Sequence, residues 1–143
     1  MKIIIVGIGK LGEYLAKNLV RDGNEVTLVD TDFTTSMDVI NNEDVNYILG
    51  SGLDANVLIE AGIKDTDLLI SVMQHDEQNV MCSLLGKKLG AKHTIARIRT
   101  PEYSNSVNLL KDESEYAFNT FLFELFINSE PNTADTILSC NNL

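Results

Sequence analysis

Several function classes are closed to this chain by what it has little of. Cysteine occurs twice, at Cys82 and Cys140, with no CxxC pair and no Cys/His cluster. That excludes a disulfide framework and a zinc site of the usual spacing, and leaves two reduced thiols. Positive charge is equally scarce: 11 Lys and Arg stand against 21 Asp and Glu, a formal net charge of −10. A nucleic-acid partner needs a basic face to meet its phosphates, so none is expected. Direct adsorption to an anionic membrane leaflet is disfavoured on the same ground. No apolar run reaches the ~20 residues needed to cross a bilayer. The apolar start, Ile3-Ile4-Ile5-Val6, meets Gly7 too early for a signal-peptide core. The expected location is cytoplasmic.

What the chain does have is a regular alternation of strand and helix patterns. Ile3 to Val6 is a continuous apolar run, as a buried parallel strand requires. Leu11, Leu15, Ala16, Leu19 and Val20 then recur at helical spacing until Asp22-Gly23-Asn24. Val26 to Val29 is a second strand, ending at Asp30. A short helix around Met37, Val39 and Ile40 leads to a third strand over Asn46–Leu49. Asp54 is placed to cap a helix running to Ala61 and closed by Gly62. Leu68–Val72 is the fourth strand, Asp76–Leu89 a long helix closed by Gly90, and Thr94–Ile98 the fifth strand. Pro101 suits a first helical turn. Strands joined by helices of about a dozen residues demand right-handed crossovers. The predicted fold is α/β, a Rossmann-type doubly wound parallel sheet with helices on both faces.

The first strand runs straight into Gly7-Ile8-Gly9-Lys10-Leu11-Gly12, a GxGxxG hexapeptide. By itself this pattern is weak; between a buried strand and an amphipathic helix it is a dinucleotide signature. Gly7 would permit the tight turn, Gly9 the approach of backbone to a pyrophosphate, and Gly12 close packing of helix on strand. Helix-start N–H groups and the dipole behind them would hold the phosphates. Asp30 ends the second strand close to where a ribose-binding acid is expected, and its charge would repel the 2′-phosphate of NADP. Thr31 and Asp32 adjoin it, and Asp32 is a weaker substitute for its role. Gly50-Ser51-Gly52 follows the third strand and Met73-Gln74-His75-Asp76 the fourth, at the carboxyl edge where open α/β sheets bind ligands. Arg97 and Arg99 alternate along the fifth strand, so one of the two is expected to face the cleft.

Catalysis has little to stand on. Hydride transfer usually needs an acid or base beside the nicotinamide. His75 lies at the right edge but in a polar loop, and His93 starts a strand at the opposite edge. No nucleophile elbow, Walker lysine or Cys–His pair occurs. No catalytic residue and no metal ligand are assigned, and the nucleotide is expected to be read as a signal.

Taken together, Gly7 to Gly12, Val29-Asp30, Ala61-Gly62, Asp76-Glu77 with Asn79, and Ile95 through Tyr103 resemble the RCK domain family, also called KTN or TrkA-N. The resemblance covers roughly residues 1 to 111. It implies a non-enzymatic cytosolic gating subunit that assembles with copies of itself beneath a membrane-embedded potassium transporter or channel. The implied ligand is NAD or NADH, with ATP/ADP as the alternative. Position by position, the implied contacts are Gly7, Ile8, Gly9, Lys10, Leu11, Asp30, Met73, Gln74 and Arg97. Gly12 joins them from the motif; Thr31 and Ser51 join as neighbours in the flanking loops. Many members carry an acid where Ser51 stands, so the choice between NADH and ATP stays open.

After Lys111 the pattern departs from the family, and residues 112–143 are expected to form a divergent carboxy-terminal extension. Phe118, Phe121, Phe123 and Phe126 crowd into it. They suit an amphipathic element covering the sheet edge or, alternatively, a patch completed by another subunit. Beyond Ser129 a loosely ordered end is expected. Two other functions remain: a fragment of a soluble NAD-dependent oxidoreductase, and a nucleotide-linked interaction module unrelated to potassium.

Overall fold

The computed structural model describes residues 1–34 and 36–103, and the backbone of a strand at 120–124. In chain order the elements are β1 (Lys2–Val6), α1 (Lys10–Arg21), β2 (Glu25–Asp30), α2 (Met37–Asn42), β3 (Val45–Leu49) and α3 (Ala55–Glu60). A 3₁₀ turn (Ile63–Asp65) leads to β4 (Leu68–Ser71), α4 (Asp76–Leu89), β5 (His93–Ile98) and β6 (Thr120–Glu124). The sheet runs β3-β2-β1-β4-β5-β6. Every strand pairing is parallel. The order reverses between β1 and β4, the switch point at which such sheets open a crevice beyond their carboxyl ends.

β1 sits at the middle of this sheet because, after the exposed Lys2 at its start, nothing on it tolerates water. Ile3, Ile4, Ile5 and Val6 are each no more than 1% exposed. Strand alternation sends Ile3 and Ile5 to one face, where Leu15, Ala16 and Leu19 of α1 and Val39 of α2 cover them. Ile4 and Val6 face the other way, against Leu58 of α3 and Cys82 of α4. Two core layers therefore enclose one sheet, as the apolar run predicts.

The helix ends follow local chemistry. α1 stops in a Schellman arrangement: Gly23 has φ +83, its N–H donates to Val20 O at 2.9 Å, and Asn24 N–H donates to Leu19 O at 3.1 Å. The Asp54 carboxylate caps α3 by accepting from Asn56 N at 2.8 Å. Gly62 and Gly90 take positive φ after α3 and α4.

Four differences from the sequence reading stand out. β3 and β5 each begin one residue earlier than expected, at Val45 and His93. β4 ends at Ser71, although Val72 N still donates to Val6 O at 2.8 Å. Met37 is exposed, since α2 has only six residues and buries Val39 alone. A sixth strand is present: residues 120–124 pair with β5, Phe121 opposite Ile95. Residues read as part of an element over the sheet edge thus extend the sheet itself. Phe118, Phe126, Cys140 and the end beyond Ser129 lie outside the described residues.

One buried side chain ties the second half of the sheet to α4. Asn79 is fully buried. Its Oδ1 accepts from Met73 N at 2.7 Å and from Ser71 Oγ at 3.2 Å. Its Nδ2 donates to Met73 O at 3.1 Å and to Arg97 O at 2.9 Å. An amide is the one neutral side chain that offers two donors and an acceptor in this span. Replacing it by alanine strands buried polar groups on β4, the following loop and β5 at once. Asn79→Ala is expected to lower unfolding stability by roughly 3 kcal/mol or more, measured by urea denaturation. A loss below about 1 kcal/mol would show that the network is dispensable.

Candidate functional site

The loops after β1, β2, β3, β4 and β5 enclose a cleft of about 480 Å³ at the carboxyl edge. Gly7, Ile8, Gly9, Asp30, Thr31, Ser51, Met73, Gln74 and Arg97 all line it. Lys10, Leu11 and Gly12 do not: α1 carries them away from the cleft, where Leu11 packs partly buried against the core. Gly50, Gly52 and Arg99 complete the polar wall.

Each glycine of the hexapeptide answers a different steric demand. At Gly7 the chain turns with φ +93, and a Cβ there would lie 2.7 Å from Met73 N. At Gly12 a Cβ would lie 2.2 Å from Gly7 O, so the helix start packs on the turn itself. Gly9 is the opposite case. A Cβ on it meets nothing within 4 Å, so the fold does not need this glycine. Gly9 is exposed and lines the cleft. α1 has no side-chain cap at Gly9, and its first intrahelical bond is Glu13 N to Gly9 O at 2.9 Å. The N–H groups of Gly9, Lys10 and Leu11 thus begin the helix without intrahelical acceptors.

Asp30 holds this turn. Its Oδ2 accepts from Ile8 N at 2.6 Å, and its Oδ1 accepts from Asp32 N at 3.1 Å. The Thr31 hydroxyl also donates to Oδ1, at 3.4 Å, so the lone pair left for a further hydroxyl donor is on Oδ2. Asp32, the weaker alternative, is spent on its own loop: its carboxylate accepts from Thr34 N at 2.8 Å, and that bond lowers its pKa. Ser51 Oγ accepts from Leu53 N at 3.2 Å.

The far wall is positive, and here the sequence reading is corrected. One arginine was expected to face the cleft; Arg97 and Arg99 both line it. Residues two apart on an extended chain share a face, so the alternation argument places them together. Arg97 Nε is buried without a hydrogen-bond partner. Burial, and next the charge of Arg99, lower the Arg97 pKa against the pull of Asp76. Arg99 is anchored by its side-chain bond to Gln74 O and by Asp76 Oδ1, 3.8 Å from its Nε.

Asp76, a helix start and the last residue of the carboxyl-edge loop in the sequence reading, does not line the cleft; its task is to hold the end of β5. It is 4% exposed. Its Oδ2 accepts from Arg99 N at 2.9 Å and Thr100 N at 2.7 Å, fixing the chain as it leaves β5. Burial raises its pKa, but the Thr100 hydroxyl, the two N–H groups and the Arg99 charge outweigh it, and the net shift is downward. The other titratable candidates stand apart. His75 is an exposed helix cap that does not line the cleft. His93 is at the opposite end of β5. Cys82 is buried and its thiol is pushed up to about 11, chiefly by burial, which leaves it unreactive at neutral pH. Among the described residues no three His, Cys, Asp or Glu side chains gather as a metal site, and no helix is long and apolar enough to cross a membrane.

A doubly wound sheet with a glycine turn and a carboxylate on the next strand end defines a Rossmann-type domain. Residues 3–114 match the model of the TrkA-N domain, and the chain belongs to that family. It is 38% identical over 104 residues to the Trk system potassium uptake protein TrkA of Vibrio alginolyticus. It is 40% identical over 104 residues to the protein of the same name from Haemophilus influenzae. Each alignment takes in 72% of this chain but 23% of the relative, so the chain spans under a quarter of their length. Among solved structures, the TrkA-N domain of the Escherichia coli inner membrane protein ybaL superposes with a TM-score of 0.72 at 16% identity. That superposition covers 98% of this chain and 96% of the other. The GsuK channel bound to NAD superposes with a TM-score of 0.68 at 20% identity, over 85% of this chain and 21% of the other. At these identities the superpositions speak for the fold.

The Asp76 shift has a pH signature. Its depressed folded pKa adds stability that is full well above the ordinary carboxyl value of 3.8 and drains as the pH falls through the folded value. The stability gap between wild type and Asp76→Asn is therefore expected to be constant near neutrality and to shrink in acid. Denaturation curves at a series of pH values check this; a gap that widens in acid would contradict it.

Proposed function

We propose that this domain is the nucleotide-sensing part of a cytosolic regulatory subunit in a potassium uptake system. The observation that carries the reading is the polarity of the cleft. An open glycine backbone at Gly9 lies between the carboxylate of Asp30 and the guanidinium groups of Arg97 and Arg99. Ribose hydroxyls suit the first and phosphates the other two. The fit is steric as well, since the space a Cβ would take at Gly9 is left for a pyrophosphate. NAD or NADH is the ligand this arrangement favours, with ADP or ATP as the alternative. The potassium-uptake names of the relatives and the NAD-bound channel domain support the same reading.

In this scheme Gly7, Ile8, Gly9, Lys10, Leu11 and Gly12 provide the turn and its N–H groups, Asp30 and Thr31 the ribose end, and Ser51 the adenosine side. Met73, Gln74 and Arg97 close the opposite wall. No residue acts as a catalyst. Binding changes the shape of a homo-oligomer, a dimer or larger ring, that sits at the inner face of the membrane through a transporter or channel partner. Residues 1–111 would form the sensing domain and 112–143 an extension that serves assembly.

Calorimetric titration with NAD, NADH, NADPH, ADP and ATP tests the ligand. Gly9→Val is expected to keep the unfolding midpoint and weaken binding roughly tenfold to a hundredfold, as overfilling a packed site does. NADH is expected to bind more tightly than NADPH because of Asp30. Equal binding by wild type and Gly9→Val would move the phosphates elsewhere.

Assembly is tested separately by light scattering. Wild type is expected to run as a dimer or larger at high micromolar concentration, and Phe121→Ser/Phe126→Ser to weaken that association. A wild type that remains monomeric defeats the assembly proposal.

A further inference from the structure

The glycine turn is gripped from two sides, and the second grip lies outside the motif. Ile8 is 2% exposed beneath the turn. Its N–H is taken by Asp30 Oδ2 at 2.6 Å. Its carbonyl oxygen accepts from the hydroxyl of Ser36 at 2.7 Å. Ser36 is itself completely buried, does not line the cleft, and sits just ahead of α2. Its own N–H donates to Phe33 O at 3.0 Å, and its carbonyl accepts from Val39 N at 3.1 Å. The serine is therefore fixed at both ends of its backbone, and its hydroxyl is spent on the Ile8 carbonyl.

That bond has a geometric consequence. A trans peptide is planar, with its C=O and N–H on opposite sides. Holding the Ile8 carbonyl toward Ser36 turns the Gly9 N–H away from Ser36. Gly9 lines the cleft and has no contact in the direction a Cβ would take. With the Ile8 N–H committed to Asp30 and the Gly7 N–H to Val29 O at 3.0 Å, the Gly9 N–H is the first one in the turn left for a ligand. We propose that Ser36 is a positioning residue of the anion cradle: its hydroxyl sets the Ile8–Gly9 peptide so that the Gly9 N–H faces the cleft before any ligand arrives.

The alternative to a preset peptide is one that rotates. Rotation would point the Ile8 carbonyl, an acceptor, at the incoming phosphate and repel it. Losing the Ser36 hydroxyl therefore removes a donor from the site without substituting any residue that lines it. The effect belongs to the phosphate part of a ligand, whereas a general loosening of the fold would spread over the whole cleft.

This inference rests on the nucleotide reading, and the experiment keeps the two apart. The ¹H–¹⁵N spectrum of the full chain is followed during titration with inorganic pyrophosphate, ADP and adenosine. In wild type, pyrophosphate and ADP are expected to shift the Gly9 amide strongly. Ser36→Ala is expected to weaken pyrophosphate and ADP by about fivefold, the scale of one lost hydrogen bond, and to leave adenosine unchanged. Ser36→Cys, which keeps a weaker donor of similar size, is expected to lie between the two. Should Ser36→Ala fail to fold, Ser36→Cys decides: a fall in pyrophosphate affinity with adenosine unchanged supports the proposal. Unchanged pyrophosphate and ADP binding in whichever variant folds overturns it, as does an equal loss for adenosine. A wild type that binds none of the three defeats the nucleotide reading itself, and the positioning role with it.

Discussion

The architecture depends on a crowded point where three segments meet around side chains that are missing. Gly7 leaves β1 at φ +93, with the backbone of Met73 where its Cβ would stand. Gly12 presses the start of α1 onto the Gly7 carbonyl, where its own Cβ would lie 2.2 Å from the oxygen. Any side chain at either position forces β1, α1 and the end of β4 apart. With both absent, the switch point between β1 and β4 closes to backbone thickness, and the cleft has a floor made of peptide groups. Gly9 is spared from this crowding: it is exposed at the cleft, and a Cβ on it would meet nothing within 4 Å.

An acidic protein can host an anion-binding cleft only by organising charge locally. Arg97 and Arg99 share one wall although they repel each other, and the buried carboxylate of Asp76 keeps Arg99 and its backbone in place. Asp30 lines the same cleft but is bound to the Ile8 N–H, so its charge steadies the turn. Side chains held in this way are ordered by the protein itself, which would reduce the ordering cost of binding. The far side of Asn79 completes the frame, since one buried amide joins β4, its loop and β5.

The fold was legible because its signals are local and repeated. Apolar runs, helical spacing, the capping Asp54 and the closing glycines all report on a few neighbouring residues. The glycine turn, Asp30 and the carboxyl-edge loops were legible for the same reason, as a motif of known spacing. The arginine pair was misread through an error of period: residues two apart share a face. The sixth strand was missed because Thr120–Glu124 follows a departure from the family pattern, and an edge strand of five residues has no capping or turn signature. Lys10, Leu11 and Gly12 belong to the motif in sequence but do not line the cleft: Leu11 packs against the core and Gly12 against the Gly7 carbonyl.

Asp76, Asn79 and Ser36 mark the boundary of such reading. Each is a polar residue in a loop or the first turn of a helix, and nothing in its local pattern reports burial. Burial makes them matter, because a polar group cut off from water must find its partners inside the protein. Those partners are distant in sequence: Ser36 reaches Ile8, Asn79 reaches Arg97, and Asp76 reaches Arg99 and Thr100. The order of residues set the strands, the helices, the turn and the family, since each rests on short-range sterics and periodicity. Which polar side chains are buried, which arginine is anchored and which keeps a buried nitrogen without a partner came from packing alone, because those properties belong to pairs of residues that only the folded chain brings together.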